Sequence, residues 1–284
     1  MLDPSKISEI NALIELVDDE SYEVFDQIRN RLISYGRDVI PLLELAWEQK
    51  GYGEEFQTRI EDIIHDLQYS DVSTALKDWA LSKDQDLITG LLLISKYQYP
   101  EIETNSYRKQ LKDLCEEFSM INNDKVSHAQ QLIALNAFLF NNKGFSGNKK
   151  NYYHPDNSIL TSVLDKKKGN PLLMSLLYII VANHNNIPIV GINLPRHFVV
   201  ALKGEFKIEF YLSPFNRGSV LQTSDIQEYL SKLNLPFEEQ YYNECTNLDM
   251  IKRVLLNLIN CYSKAKKKEK MEDVSALYEQ IKDI

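Results

Sequence analysis

The sequence predicts an α+β protein in which helices at both ends flank a small sheet. Three observations predict it. Apolar residues recur at helical spacing through the first 120 residues. One later segment, "PLLMSLLYIIVANHN", is apolar almost all round. Two strand-like runs, "HFVVALKG" and "EFKIEFYLS", follow it.

The first helices show their faces directly. "SYEVFDQIRNRLISYG" sets Val24, Phe25, Ile28, Leu32 and Ile33 on one stripe. Gly36 suits the C′ position after it, and Asp38 suits the N-cap of "VIPLLELAWEQKG". Pro41 fits there because a first-turn proline loses no intrahelical bond. "EFQTRIEDIIHDLQ" and "STALKDWALSKD" read as two further helices, followed by "LITGLLLISKYQY". His65 and Trp79 fall within these patterns and read as packing residues. The succession of short helices, without a clean repeat, resembles HEAT-like pairs.

In "SHAQQLIALNAFLFNNKG", Ser127 can cap a helix with Leu132, Leu135, Phe138 and Leu139 on its apolar face. A loop rich in Gly, Asn, Ser and Pro comes next, "FSGNKKNYYHPDNS". Asn157 or Ser158 then caps "ILTSVLDKKK", and Gly169 closes it. Asn170 caps the all-apolar helix, whose N1 position is Pro171. A helix without a polar face must be covered on every side, which makes it the centre of the domain. Ser175 sits one turn along it and is expected to bond back to the carbonyl four residues earlier. Strands are expected near 187–194, 197–203 and 206–212, with His197 opening the second and a turn at Lys203-Gly204. Ser224 suits the cap of a surface helix. "MIKRVLLNLINCYSKAKKKEKMEDVSALYEQIKDI" reads as two helices separated near a lysine run, a pair that resembles one tetratricopeptide-like unit. The expected divisions are 1–120, 121–235 and 236–284.

Hydrophobic residues make up 44% and charged residues 26% of 284, ordinary for a globular protein. No run reaches the roughly 18 apolar residues a membrane span needs. The N-terminus lacks a basic stretch followed by an apolar one, so no secretory leader is expected. The cysteines Cys115, Cys245 and Cys261 form no C-x-x-C pair, which speaks against a disulfide framework or a zinc site and for a reducing cytoplasm. His154 and His184 have no metal-ligand spacing with His197. The net charge of −9 speaks against a nucleic-acid partner. It is unevenly spread: residues 1–120 hold 12 Lys+Arg and 25 Asp+Glu, residues 121–284 hold 20 and 16.

Five pieces carry a family resemblance: "FSGN" (Phe145 to Asn148), "NYYHPDNS" (Asn151 to Ser158), "VLDKKKGNP" (Val163 to Pro171), "LPRHF" (Leu194 to Phe198) and "PFNRG" (Pro214 to Gly218). In order and spacing they resemble the transglutaminase-like family typified by SirB-type proteins. The resemblance implies a transglutaminase-like, papain-like core with a helical hairpin tail. Active members place a cysteine at the start of the central helix, where the dipole and a histidine lower its pKa. By the resemblance that position falls on Pro171, the histidine on His197, and the aspartate that orients it on Ser213. SirB-type relatives commonly read "DPF" where this chain has "SPF", and "GIPISL" where it has "GNPLLM".

Two of three catalytic positions are therefore absent, and the three cysteines are expected away from the cleft. The expected function is a non-catalytic regulatory or interaction module with a protein partner and no cofactor. The alternative is a hydrolase or acyl-transferase with an unrecognised nucleophile. The emptied cleft is expected to gather Asn170, His197 and the "SPFNRG" turn, with Tyr152 and Tyr153 beside them. Lys149, Lys150, Lys166, Lys167, Lys168, Arg196 and Arg217 would surround it and favour an acidic peptide or other anion.

Overall fold

The computed structural model describes residues 3–19, 21–48, 53–235 and 238–284. The chain divides into two compact units, Met1–Ala75 and Leu76–Ile284. The end expected for the third helix, Gln49 to Gly51, and the start of the expected tail at 236 lie outside the described residues.

The first unit contains helices α1 (Pro4–Glu15), α2 (Tyr22–Ile33), α3 (Ile40–Trp47) and the beginning of α4 (Glu54–Leu81). Its core joins Ile10 and Ile14 to Phe25, Ile28 and Leu32 of the α2 stripe, and to Leu43, Phe56, Ile60 and Ile63. Arg59 clamps this unit. Its guanidinium donates to the carbonyls of Val17 (2.8 Å) and Asp19 (2.7 Å) and lies 4.6 Å from the centre of the Phe25 ring. Two local expectations are corrected. Asp38 lies inside a 3-10 turn, Gly36–Val39, and Val39 takes the cap position of α3. The two helices expected between 54 and 81 are one, because Ser70 to Ser73 contain neither glycine nor proline to break α4.

The second unit continues with α5 (Leu87–Gln98), α6 (Thr104–Ile121) and α7 (His128–Asn136). Ser127 caps α7 in a reciprocal box with Gln130. The chain then widens into a π turn, Ala137–Asn142. Strand β1 (Ser146–Gly147) pairs in parallel with β2 (Lys168–Gly169), so "FSGN" lies beside "KKGN". Between them runs α8 (Leu160–Lys166). Asn157 and Ser158 belong to the 3-10 turn before α8 rather than to its cap. Lys167, at φ +56°, closes α8 in place of Gly169, which is used in β2.

Helix α9 (Pro171–His184) is the centre of the unit. Leu173, Leu176, Leu177, Ile179 and Val181 are each at most 5% exposed. Burying five such side chains contributes on the order of 10 kcal/mol before chain entropy is subtracted. Strands β3 (Ile189–Ile192), β4 (Val199–Lys203), β5 (Ile208–Ser213) and β6 (Ser219–Leu221) form an antiparallel sheet in that order. The fourth strand was not expected. It follows the left-handed Arg217 and Gly218, which turn the chain back onto β5. Val199 and Ala201 pack with Ile226 and Leu230 of α10 (Thr223–Lys232). Val200 and Leu202 point the other way, on a sheet whose β3 and β4 lie against α9. The cap of α10 is Gln222, boxed with Asp225, rather than Ser224. Helices α11 (Asn247–Lys264) and α12 (Lys268–Ile281) follow and pack along each other, and Lys252 Nζ donates to the Lys282 carbonyl.

The described residues are thus mostly helical with a small antiparallel sheet. None of their helices is long and apolar enough to cross a membrane.

Candidate functional site

The start of α9 is built by a chain of small polar side chains. Asn170 accepts from the Leu173 N–H at 2.8 Å, the cap expected from sequence. Its Nδ2 donates to Ser158 Oγ at 2.7 Å. Asn157 holds the preceding loop: it donates to the carbonyls of Asn151 (2.6 Å) and Tyr152 (3.1 Å) and accepts from Asn148 (2.9 Å). This places Tyr152 and Tyr153 beside the helix start, their rings edge to face at 5.0 Å. Tyr152 also meets Phe215 of the "SPFNRG" turn at 6.0 Å.

These groups open onto a cleft of about 480 Å³. Of the residues expected there, Tyr152, Tyr153, Asn170, Pro171, Arg196 and His197 line it. Arg217 does not; it points to the Phe140 carbonyl and the side chain of Asn141. Ser213 is buried outside the lining and accepts from Asn216 Nδ2 at 3.2 Å. Lys166 pairs with Asp156, and Lys167 lies over the Phe145 ring, so neither faces the cleft. His154 accepts from the Asp156 N–H at 3.3 Å in the neighbouring loop, and His184 ends α9.

His197 lies two residues before β4 rather than inside it. Its backbone N–H donates to Leu194, and the left-handed Arg196 (φ +58°) turns the chain just ahead of it. Tyr229 of α10 supports this loop, donating to the Pro195 carbonyl at 2.8 Å with its ring 5.7 Å from the imidazole. Burial, then the nearby Arg253 charge, lowers the imidazole pKa from 6.5. No carboxylate pairs with His197 among the described residues. Burial and the Arg253 charge both favour the neutral imidazole.

The remaining wall comes from α11, which sequence reasoning missed. Arg253, Leu256, Asn257, Asn260 and Cys261 line the cleft. Arg253, Asn257, Asn260 and Lys264 recur at intervals of four, three and four, a polar stripe beside the apolar face of the helix. That spacing was the available signal. Cys261 corrects the expectation that no cysteine reaches the cleft. Burial raises its thiol pKa, partly offset by a hydrogen bond with Ser158 and by Lys264. Burial pushes Cys115 up to about 11 and Cys245 up to about 12. Ser175 is buried but its Oγ has no hydrogen-bond partner among the described residues, so the expected bond to the preceding turn is not made. No group of three or more His, Cys, Asp or Glu among the described residues is placed to hold a metal ion.

A buried helix whose capped start meets a histidine loop at one cleft, packed on an antiparallel sheet, is the arrangement expected of a transglutaminase-like domain. Residues 105–256 match the transglutaminase-like superfamily, more than half of the chain, and the chain belongs to that family. Its relatives support the SirB-type branch. A UPF0162 protein of Xylella fastidiosa (strain 9a5c) is 30% identical over 190 residues, 62% of this chain and 65% of the relative. Protein SirB1 of Salmonella typhimurium is 25% identical over 179 residues, 60% and 64%. F-box only protein 21 of Homo sapiens is 28% identical over 184 residues, 62% and 28%. The chain thus spans less than two thirds of the length of these curated relatives. No solved structure matches it significantly.

Proposed function

We propose that this chain is a non-catalytic transglutaminase-like protein, a regulatory module that engages a protein partner through its cleft and helical flanks. One observation carries the reading: among the described residues lining the cleft, a proline stands at the helix start and the one thiol has its pKa raised by burial. Pro171 holds the helix start. The thiol that does line the cleft, Cys261, has its pKa raised by burial, and His197 has no carboxylate among the described residues to orient it or to stabilise its cation. The HEAT-like reading of the early helices and the tetratricopeptide-like reading of the packed α11–α12 pair fit docking of protein partners.

A second reading, a thiol hydrolase or acyl-transferase, has one observation in its favour: Cys261 and His197 line the same cleft. A thiol-reactive probe at neutral pH separates the two. The proposed function expects slow labelling of Cys261, unchanged in His197→Ala, and no amide hydrolysis above background. Fast labelling that depends on His197 would support the enzyme instead. A pull-down with the full chain, compared with an Arg253→Met variant, tests whether the cleft engages the partner.

A further inference from the structure

We propose that the cleft is a carboxylate-binding pocket for an extended peptide, with Arg253 as its anchor and Asn257 and Asn260 as amide partners for the peptide backbone. The proposal rests on the reading that the cleft binds rather than reacts.

Among the described residues the cleft lining contains two arginines, Arg196 and Arg253, and no aspartate or glutamate. Arg253 is half-buried, and among the described residues its guanidinium makes one hydrogen bond, from Nη1 to the neutral Asn193 Oδ1 at 3.0 Å. No carboxylate pairs with it among the described residues. Burial lowers its pKa, the direction expected for a cation short of water and without a counter-ion. Removing a charge from water is costly unless a partner replaces the lost solvation. A guanidinium with free donors beside an open cleft is complementary to a planar, two-oxygen anion. The start of α9 is not that partner's main site. Asn170 already caps the Leu173 N–H, and Pro171 has none to offer.

The rest of the wall favours a peptide over a free phosphate. The side-chain amides of Asn257 and Asn260, on helix α11, make no hydrogen bond among the described residues, and each offers both donors and an acceptor. A peptide backbone uses both, whereas a phosphate oxygen uses only donors. Tyr152, Tyr153 and Leu172 add flat and apolar surface for the flanking residues. Lys264 does not add a free charge at depth, since its ammonium lies 3.1 Å from the centre of the Tyr153 ring.

The carboxylate has two possible sources, a side chain or a chain terminus, and the titration separates them. The full chain is titrated with Ac-Ala-Gly-Glu-Gly-Ala-NH2, its Gln isostere, Ac-Ala-Gly-Gly with a free C-terminus, and inorganic phosphate, followed by calorimetry and amide NMR shifts. A carboxylate peptide should bind about tenfold or more tightly than its neutral counterpart, and added salt should weaken it. Preference for the Glu peptide assigns a side chain, and preference for the free terminus assigns a chain end. Arg253→Met should abolish the preference, and Arg253→Lys should keep part of it. If Arg253→Met does not fold, Asn257→Asp, which puts a like charge in the pocket, should remove binding. Equal binding of the Glu and Gln peptides with no gain from a free terminus, no binding at millimolar peptide, or tighter binding of phosphate would overturn the inference. Turnover of a peptide would instead overturn the non-catalytic reading beneath it.

Discussion

Alanine at Gly218 should destabilise the core well beyond alanine at Gly144, and one hydrogen-bonded asparagine sets the difference. Both glycines have positive φ, +72° and +77°. A Cβ at 144 would meet nothing within 4 Å, whereas at 218 it would lie 2.0 Å from Asn136 Oδ1. That oxygen accepts from the Tyr178 hydroxyl at 2.9 Å, and the Asn136 amide faces the Gly218 carbonyl at 3.4 Å. Gly144→Ala therefore carries only the left-handed backbone penalty, about 1 kcal/mol. Gly218→Ala adds the displacement of Asn136, which leaves the hydroxyl of the buried Tyr178 without its acceptor, about 1–3 kcal/mol more. The assay uses a Trp47→Phe background. The chain has two tryptophans, so Trp79, buried in the second unit, is then the single tryptophan signal. Urea titrations of the two alanine variants give the difference. In a further Tyr178→Phe background the excess at 218 should shrink, because there is no hydroxyl left to orphan. Equal losses at 144 and 218, or an excess unchanged in Tyr178→Phe, would refute the role assigned to Asn136.

Three other outcomes follow from the same geometry. Leu176→Asp places a carboxylate at a site with 0% exposure and should yield no folded protein by circular dichroism and gel filtration; a soluble variant of unchanged melting temperature would remove α9 from the centre. His197 should titrate below 6.5 by NMR. Between that lowered value and 6.5 the unfolded chain binds more protons, so stability should rise with pH across this window and level off above it, and His197→Gln should flatten the rise. Pro171→Cys should leave amide hydrolysis at background, because Ser213 is buried away from the cleft and no carboxylate among the described residues pairs with His197; turnover in that single variant would show that a thiol alone suffices.

The elements that sequence resolved are those where a local rule had no competitor. The Asn170-Pro171 start of α9 combines a strong cap with a proline that costs nothing there, and the helix is apolar all round, so position and burial were both readable. The hairpin of β4 and β5 was legible because apolar, β-branched and aromatic residues concentrate on each side of Lys203-Gly204. The errors came where tertiary pairing decided. Gly169 looked like a helix stop, but β1 recruits it into a strand, and Lys167 takes the left-handed position instead. Strand β6 is three residues long and rests on the turn at Arg217 and Gly218 rather than on its own pattern. The apolar face of helix α4 weakens around Ser70, which suggests two helices in sequence, though nothing there stops a helix.

The cleft shows the same division. Asn170, Tyr152, Tyr153, Arg196 and His197 were readable together because they sit in motifs close in sequence to α9 and the hairpin. The α11 wall was not. A polar stripe of Arg253, Asn257, Asn260 and Lys264 on a helix ordinarily means a solvated face, and no local pattern says that it turns toward a loop about a hundred residues earlier. Asn257, Asn260 and Cys261 also lie past the matched residues 105–256, so the family resemblance does not describe them. The cleft therefore combines two sources: a family core that supplies the helix start and the histidine, and a following helix that supplies the amides and the nearby thiol. Arg253 stands at the junction, inside the matched span yet on that helix. It is the cation in the cleft lining that burial deprives of water without giving it a carboxylate. A half-buried guanidinium beside an open cleft, with no carboxylate paired to it among the described residues, has a physical reason to bind an anion whatever the cleft does with it.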